Sequence, residues 1–154
     1  VEFVRETYGV PFAASSADLA ILESGSASGA MFGMELGALP EAIDINLAEM
    51  EEVRFGNTIL RVIPTPGHTP GCVSLYHEES KSLFTGDTLF RESIGRTDLP
   101  GGDYPTIIRS ILGNILPLGD EVTIYPGHGE KSSIGHESLY NPFVVEALNG
   151  EVNF

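Results

Sequence analysis

The sequence predicts an α/β domain in which helices cover a β-sheet, and three observations carry that prediction. Short runs with strand character follow one another through the middle of the chain, at Thr58–Ile63, where Ile59, Val62 and Ile63 are apolar, and at Cys72–His77 and Ser82–Thr85. Ile107, Ile108, Ile111, Leu112 and Ile115 then form one stripe at helical spacing. Strand and helix signals alternate along the chain, which favours a sheet with helical cover over an all-β barrel. A length of 154 residues with 42% hydrophobic content fits one domain with its own core.

Element by element, Val1, Val4 and Tyr8 have helical spacing and stop at Gly9. Val10–Ala14 reads as a short strand. Ser15 or Ser16 caps a helix through Leu22, which Gly25–Gly29 breaks. Residues 30–50 read as helix and then loop around Pro40. Glu52–Phe55, a Gly56-Asn57 turn and Thr58–Ile63 form a hairpin. Cys72–His77 pairs with Ser82–Thr85 across Glu78–Lys81, and a glycine-rich loop covers 91–102. Asp103 caps the striped helix, with Pro105 in its first turn. Val122–Tyr125 is a further strand, and Ser132–Tyr140 and Phe143–Leu148 read as helices.

Charge narrows the function. Twenty-two acidic residues against eight basic ones give a net charge of −14. That field repels phosphate backbones and anionic headgroups, which argues against nucleic-acid and membrane partners. No run of residues is long and apolar enough to read as a membrane span. The single cysteine, Cys72, makes no intrachain disulfide. With no signal segment at the start, this fits a cytoplasmic protein.

The chemistry concentrates where three strands end. Ile59–Ile63 runs into P-T-P-G-H-T-P-G, which carries His68. Ser82–Thr85 runs into T-G-D-T, with Asp87, and Val122–Tyr125 runs into Y-P-G-H-G, with His128. Glycine and proline let the backbone turn sharply beside a ligand, and imidazole with carboxylate suits a divalent cation. His77, beside Glu78 and Glu79, reads as a solvated turn residue, and His136 as a residue on a surface helix. Cys72 reads as a small buried thiol, because no base has a defined place beside it.

T-P-G-H-T-P-G-C at 65–72, L-F-T-G-D-T-L-F at 83–90, G-R-T-D-L-P-G-G-D at 95–103, Y-P-G-H-G at 125–129 and N-P-F at 141–143 together resemble the metallo-β-lactamase superfamily. Within it the chain is most similar to single-domain glyoxalase II enzymes, the hydroxyacylglutathione hydrolases. The resemblance implies an αββα sandwich with two divalent metal ions at one edge, zinc first, with iron or manganese as alternatives. It makes His68 a ligand of one metal, His128 a ligand of the other, and Asp87 the bridge between them. It also implies a small-molecule thioester substrate, attacked by a metal-activated hydroxide.

Two departures from the family pattern matter. The H-x-H-x-D-H signature, source of four further ligands, is absent, although the helix and G-V-P that follow it in the family open this chain at 1–11. The expectation is therefore an N-terminally truncated sandwich over 1–154, inactive alone and prone to self-association or strand exchange. In two-domain relatives a C-terminal helical domain binds much of the glutathione, and its residues cannot be carried over onto the sequence 1–154. Arg91, Arg96 and Lys131 remain, either to capture an anionic substrate or to form loop salt bridges with Asp98 or Asp103. A persulfide dioxygenase-like iron enzyme, which shares the G-R-T-D loop, and a non-catalytic fragment or binding module are the alternatives.

Overall fold

The computed structural model describes residues 1–22 and 43–150. Its centre is a six-stranded sheet that runs, edge to edge, Ser132–Ser133, Thr123–Pro126, Ser82–Gly86, Val73–His77, Thr58–Pro64, Glu52–Phe55. Two separate two-stranded ladders pair Ala13–Ala14 with Ile45–Asn46 and Leu89–Phe90 with Ser93–Ile94. In chain order the strands are β1 (Ala13–Ala14), β2 (Ile45–Asn46), β3 (Glu52–Phe55), β4 (Thr58–Pro64) and β5 (Val73–His77). They continue with β6 (Ser82–Gly86), β7 (Leu89–Phe90), β8 (Ser93–Ile94), β9 (Thr123–Pro126) and β10 (Ser132–Ser133). The helices are α1 (Glu2–Tyr8), α2 (Tyr104–Ser110), α3 (Ile134–Tyr140) and α4 (Pro142–Leu148).

Local chemistry explains most boundaries. Gly9, left-handed at φ 61°, closes α1. The Asp103 carboxylate accepts the Thr106 amide and starts α2, with Pro105 in its first turn. The isoleucine stripe then continues past α2 as a π-helical turn, Ile111–Ile115. Pro117, which has no N–H to give the Gly113 carbonyl, follows at once, and the chain turns away at Gly119. Ser133 caps α3, and Asn141 both ends α3 and caps α4.

Several expected boundaries shift. The strand expected at Val10–Ala14 is only Ala13–Ala14, paired in parallel with Ile45–Asn46. Ser15 caps a 3₁₀ turn that runs on helically to Leu22. The expected 91–102 loop contains β8, which folds back on β7. Ser132–Ser133, expected as helix, is a strand because it pairs with Ile124 and Thr123 on β9. The expected break at Gly25–Gly29 and most of 30–50 lie outside the described residues.

One face of the large sheet is closed by helices. Leu83 and Ile124 pack with Ile107, Ile108, Ile111, Ile115, Ile134 and Val144, all fully buried. Each such side chain contributes about 1.5–3 kcal/mol by leaving water. The other face, read from the register, carries Phe55, Leu75, Phe84 and Tyr125. Phe84 and Tyr125 stack at 5.5 Å and remain 44% and 38% exposed. No helix among the described residues is long and apolar enough to cross a membrane.

Candidate functional site

Strand direction gathers the three turns. β4 is antiparallel to β5, β5 is antiparallel to β6, and β6 is parallel to β9. β4, β6 and β9 therefore point the same way and end at the same edge. β6 and β9 are neighbours, about 4.8 Å apart, while the turn after β4 must reach over the start of β5.

Buried hydroxyls hold the turns together. Thr65, Ser74, Thr85 and Thr88 are buried beneath the edge. The Thr88 hydroxyl donates to the Thr65 hydroxyl at 3.2 Å and to its carbonyl at 3.3 Å, so the turns after β4 and β6 are joined directly. Thr65 and Ser74 hydroxyls lie 3.0 Å apart, and the Thr85 hydroxyl donates to the Leu89 carbonyl. The turn after β9 joins through the Gly127 amide, which donates to the Gly86 carbonyl at 2.8 Å.

Helix α2 presses on the His68 turn from below. A Cβ on Gly67, which has φ 135°, would fall 2.3 Å from the Ile107 backbone, so only glycine allows this approach. The Asp103 amide donates to the Gly67 carbonyl at 2.8 Å, and the Ser110 hydroxyl to the Pro66 carbonyl. From the other side, the Asp18 carboxylate accepts the Thr69 hydroxyl and the Gly71 amide, both at 2.7 Å. His68 is thus framed by groups from four segments of the chain.

At the edge Asp87 lies between the two histidines. His128 Nδ1 donates to Asp87 Oδ1 at 2.9 Å, and His68 Nε2 stands 3.8 Å from Oδ2. His68 Nδ1 donates to the Arg96 carbonyl at 2.8 Å. A carbonyl only accepts, so this bond places a proton on His68 Nδ1 and turns Nε2 toward Asp87. The His68 side chain is 18% exposed and that of His128 is 79% exposed. Room for the carboxylate comes from glycine, since a Cβ on Gly127 would meet Asp87 Oδ1 at 2.6 Å. These three residues line a hollow of about 240 Å³ with Phe90, Gly95 and Arg96.

The three basic loop residues separate. Arg96 lines the hollow, but its guanidinium is forked onto Asp98 through two 2.8 Å hydrogen bonds. Those bonds hold the Asp98 carboxyl down to about 2. Arg91 and Lys131, expected at the same site, instead line another hollow with His136, and Arg91 meets Glu130 at 3.3 Å. Arg91 sits at the closed end of the β7–β8 hairpin, whereas Asp87 precedes its open end, and Lys131 lies just ahead of β10. His77 bonds Ser80 in its turn. His136 is less exposed than expected, paired with Glu92 at 3.0 Å and set against Tyr140. Cys72 is half-buried, with its sulfur 3.0 Å from the Thr69 hydroxyl.

Residues 2–128 match the family described as the metallo-beta-lactamase superfamily. The chain belongs to the metallo-β-lactamase superfamily. An uncharacterized Aquifex aeolicus protein is 36% identical over 148 residues, which cover 96% of this chain and 69% of that protein. Hydroxyacylglutathione hydrolase GloC of Haemophilus influenzae is 45% identical over 96 residues, 62% of this chain and 45% of that protein. Among solved structures, the BLEG-1 B3 metallo-β-lactamase aligns with TM-score 0.83 and 36% identity, over 92% of this chain and 68% of the other. ETHE1 from Myxococcus xanthus aligns with TM-score 0.72 and 25% identity, over 99% and 63%. The matched region thus spans less than half of the Haemophilus relative and about two thirds of the Aquifex one.

A solved relative, TTHA1623, which aligns with TM-score 0.81 and 32% identity over 93% of this chain and 69% of the other, is in a di-iron-bound form, so the donor set here can be tested against a dinuclear centre. The His68–Asp87 edge is suitable, because 3.8 Å between an imidazole nitrogen and a carboxylate oxygen is near the separation of about 3.4 Å expected across a zinc ion. The rest is not. His128 already donates a proton to the same carboxylate, and no group of three His, Cys, Asp or Glu among the described residues is placed to hold an ion. The described residues by themselves do not fit a dinuclear centre. Asp18 and the Arg96 carbonyl, which hold the His68 turn and its ring, carry no local sequence signal.

Proposed function

We propose that this domain serves a metal-dependent hydrolase of the glyoxalase II type that cleaves a glutathione thioester or a related small-molecule thioester in the cytoplasm. His68, Asp87 and His128 are the metal-site residues it contributes, toward two divalent ions of which zinc is the first choice. The observation that carries the reading is the Asp87 carboxylate set between two imidazoles at one sheet edge, in a hollow bordered by Arg96. The likeness to the Haemophilus hydroxyacylglutathione hydrolase supports the substrate class. Without the H-x-H-x-D-H ligands, the 154-residue chain is itself inactive and holds metal weakly.

A second reading, a persulfide dioxygenase-like iron enzyme, draws support from Gly95-Arg96-Thr97-Asp98 and from the likeness to ETHE1. One experiment separates the readings. The chain, alone and with an H-x-H-x-D-H-bearing β segment joined ahead of Val1, is dialysed and analysed for metal. Both forms are then assayed with hydroxyacylglutathione, with glutathione persulfide while oxygen is monitored, and with a β-lactam. The proposal expects metal retention and thioester hydrolysis only in the extended form. Oxygen uptake supports the dioxygenase. β-Lactam cleavage without thioester hydrolysis, or turnover by the chain alone, overturns the proposal.

A further inference from the structure

Glu137 is a fully buried carboxylate for which no basic partner is found among the described residues. It lies on α3, behind the hairpin of β7 and β8. Its Oε2 accepts the Glu92 backbone amide at 2.8 Å and the Asn141 side-chain amide at 2.9 Å, and its Oε1 accepts the Ser132 hydroxyl. Asn141, also fully buried, passes its other amide proton to the Ser93 carbonyl at 3.0 Å. Neutral donors from three segments thus converge on one buried carboxyl group, where each donor lost leaves an acceptor oxygen unsatisfied.

Those segments are the ones that carry the site. Glu92 and Ser93 form the closed end of the hairpin, and Glu92 sits there at φ 55°, a strained setting for a residue with a side chain. The open end begins beside Asp87 and finishes at Gly95 and Arg96, whose carbonyl holds His68 Nδ1. Gly95 and Thr88 close that end through a 3.1 Å hydrogen bond. Ser132 follows His128 by four residues on the third turn.

We propose that Glu137, with Asn141, is a positioning residue: its buried carboxylate fixes the hairpin from Asp87 to Arg96 and the strand after His128, and so sets the His68 tautomer through the Arg96 carbonyl. The inference rests on the site proposed above but not on its activity, so it is read without turnover. The Glu137→Gln and Glu137→Ala chains are compared with the parent by hydrogen exchange at the Glu92 amide. Nitrogen-15 spectra of the histidine rings provide the second readout.

In the parent, the Glu92 amide exchanges at least tenfold more slowly than in Glu137→Ala, and His68 is held as the Nδ1–H form. Glu137→Ala mixes the His68 tautomers while the His77 ring, bonded to Ser80, keeps its parent spectrum. Glu137→Gln, which retains an acceptor oxygen, recovers part of both effects. If the alanine chain does not fold, Ser132→Ala and the glutamine chain carry the test, with smaller shifts of the same sign. Parent-like His68 spectra and Glu92 exchange in a folded variant overturn the proposal. So does a His77 spectrum that changes as much as that of His68. A thioester assay that fails while these signatures appear counts against the hydrolase reading alone.

Discussion

Gly95→Ala tests whether close backbone packing, rather than side-chain choice alone, builds the site. A Cβ at Gly95 would lie 1.9 Å from the Asp87 carbonyl oxygen and 3.1 Å from His68 Cβ, whereas ordinary contact begins at 3.4 Å. The obstacle is backbone, so the hairpin and the Asp87 turn must separate by well over an ångström. Two hydrogen bonds lie in the path of that movement, Gly95 to Thr88 at 3.1 Å and His68 to Arg96 at 2.8 Å. Each is worth about 1 kcal/mol, and overpacking adds about 1–3 kcal/mol. The expected destabilisation is therefore about 3–5 kcal/mol, or roughly 10 °C in melting temperature at this chain length. Gly113→Ala is the control, because its Cβ meets nothing within 4 Å. That change is expected to be neutral or to stabilise by about 0.5–1 kcal/mol through helix propensity. Thermal and urea melts measure both. A Gly95→Ala chain within 1 kcal/mol of the parent would refute the packing argument.

Asp18→Ala removes both hydrogen bonds that pin the loop after His68 and is expected to cost about 2–3 kcal/mol in a urea melt, with increased exchange at the Gly71 amide; an unchanged midpoint contradicts this. Asp98 titrates near 2 because Arg96 hydrogen-bonds its charged form. A lowered folded value means that the fork is complete above the ordinary 3.8 and is lost as pH falls through about 2. Carbon-13 detection should show that midpoint, and in Arg96→Ala it should return toward 3.8. The exposed apolar face around Phe84 and Tyr125 is expected to drive self-association, and Phe84→Asp should reduce it. A sharp monomer by light scattering in the parent counts against that expectation.

The large sheet and the striped helix were legible because their signals are local: short strand-like runs, Gly56-Asn57, the isoleucine stripe, Asp103 before Pro105. The common direction of β4, β6 and β9 was not, since it depends on which strands pair rather than on any residue within them. β8 escaped because a two-residue strand has no periodicity to read, and β10 because Ser132–Ser133 suits a helix cap as well as a strand. The three site residues stood out through the glycines and prolines around them. The structure divides Arg91, Arg96 and Lys131 between two hollows for a geometric reason. A hairpin carries residues four positions apart to opposite ends, so nearness in sequence to Asp87 does not put Arg91 beside it. Asp18 and Glu137 act across 53 and 45 residues on Gly71 and Glu92, a separation that no local pattern reports.

The central claim is that His68, Asp87 and His128 form one metal-directed edge that is incomplete among the residues described. Zinc titration of nitrogen-15-labelled chain, read at the four histidine rings, tests it most directly. The account predicts that His68 and His128 shift together with weak affinity, while His77 and His136 stay fixed, and that Asp87→Ala abolishes the response. Shifts led by His77 or His136, or two zinc ions held tightly through dialysis by this chain alone, would contradict it.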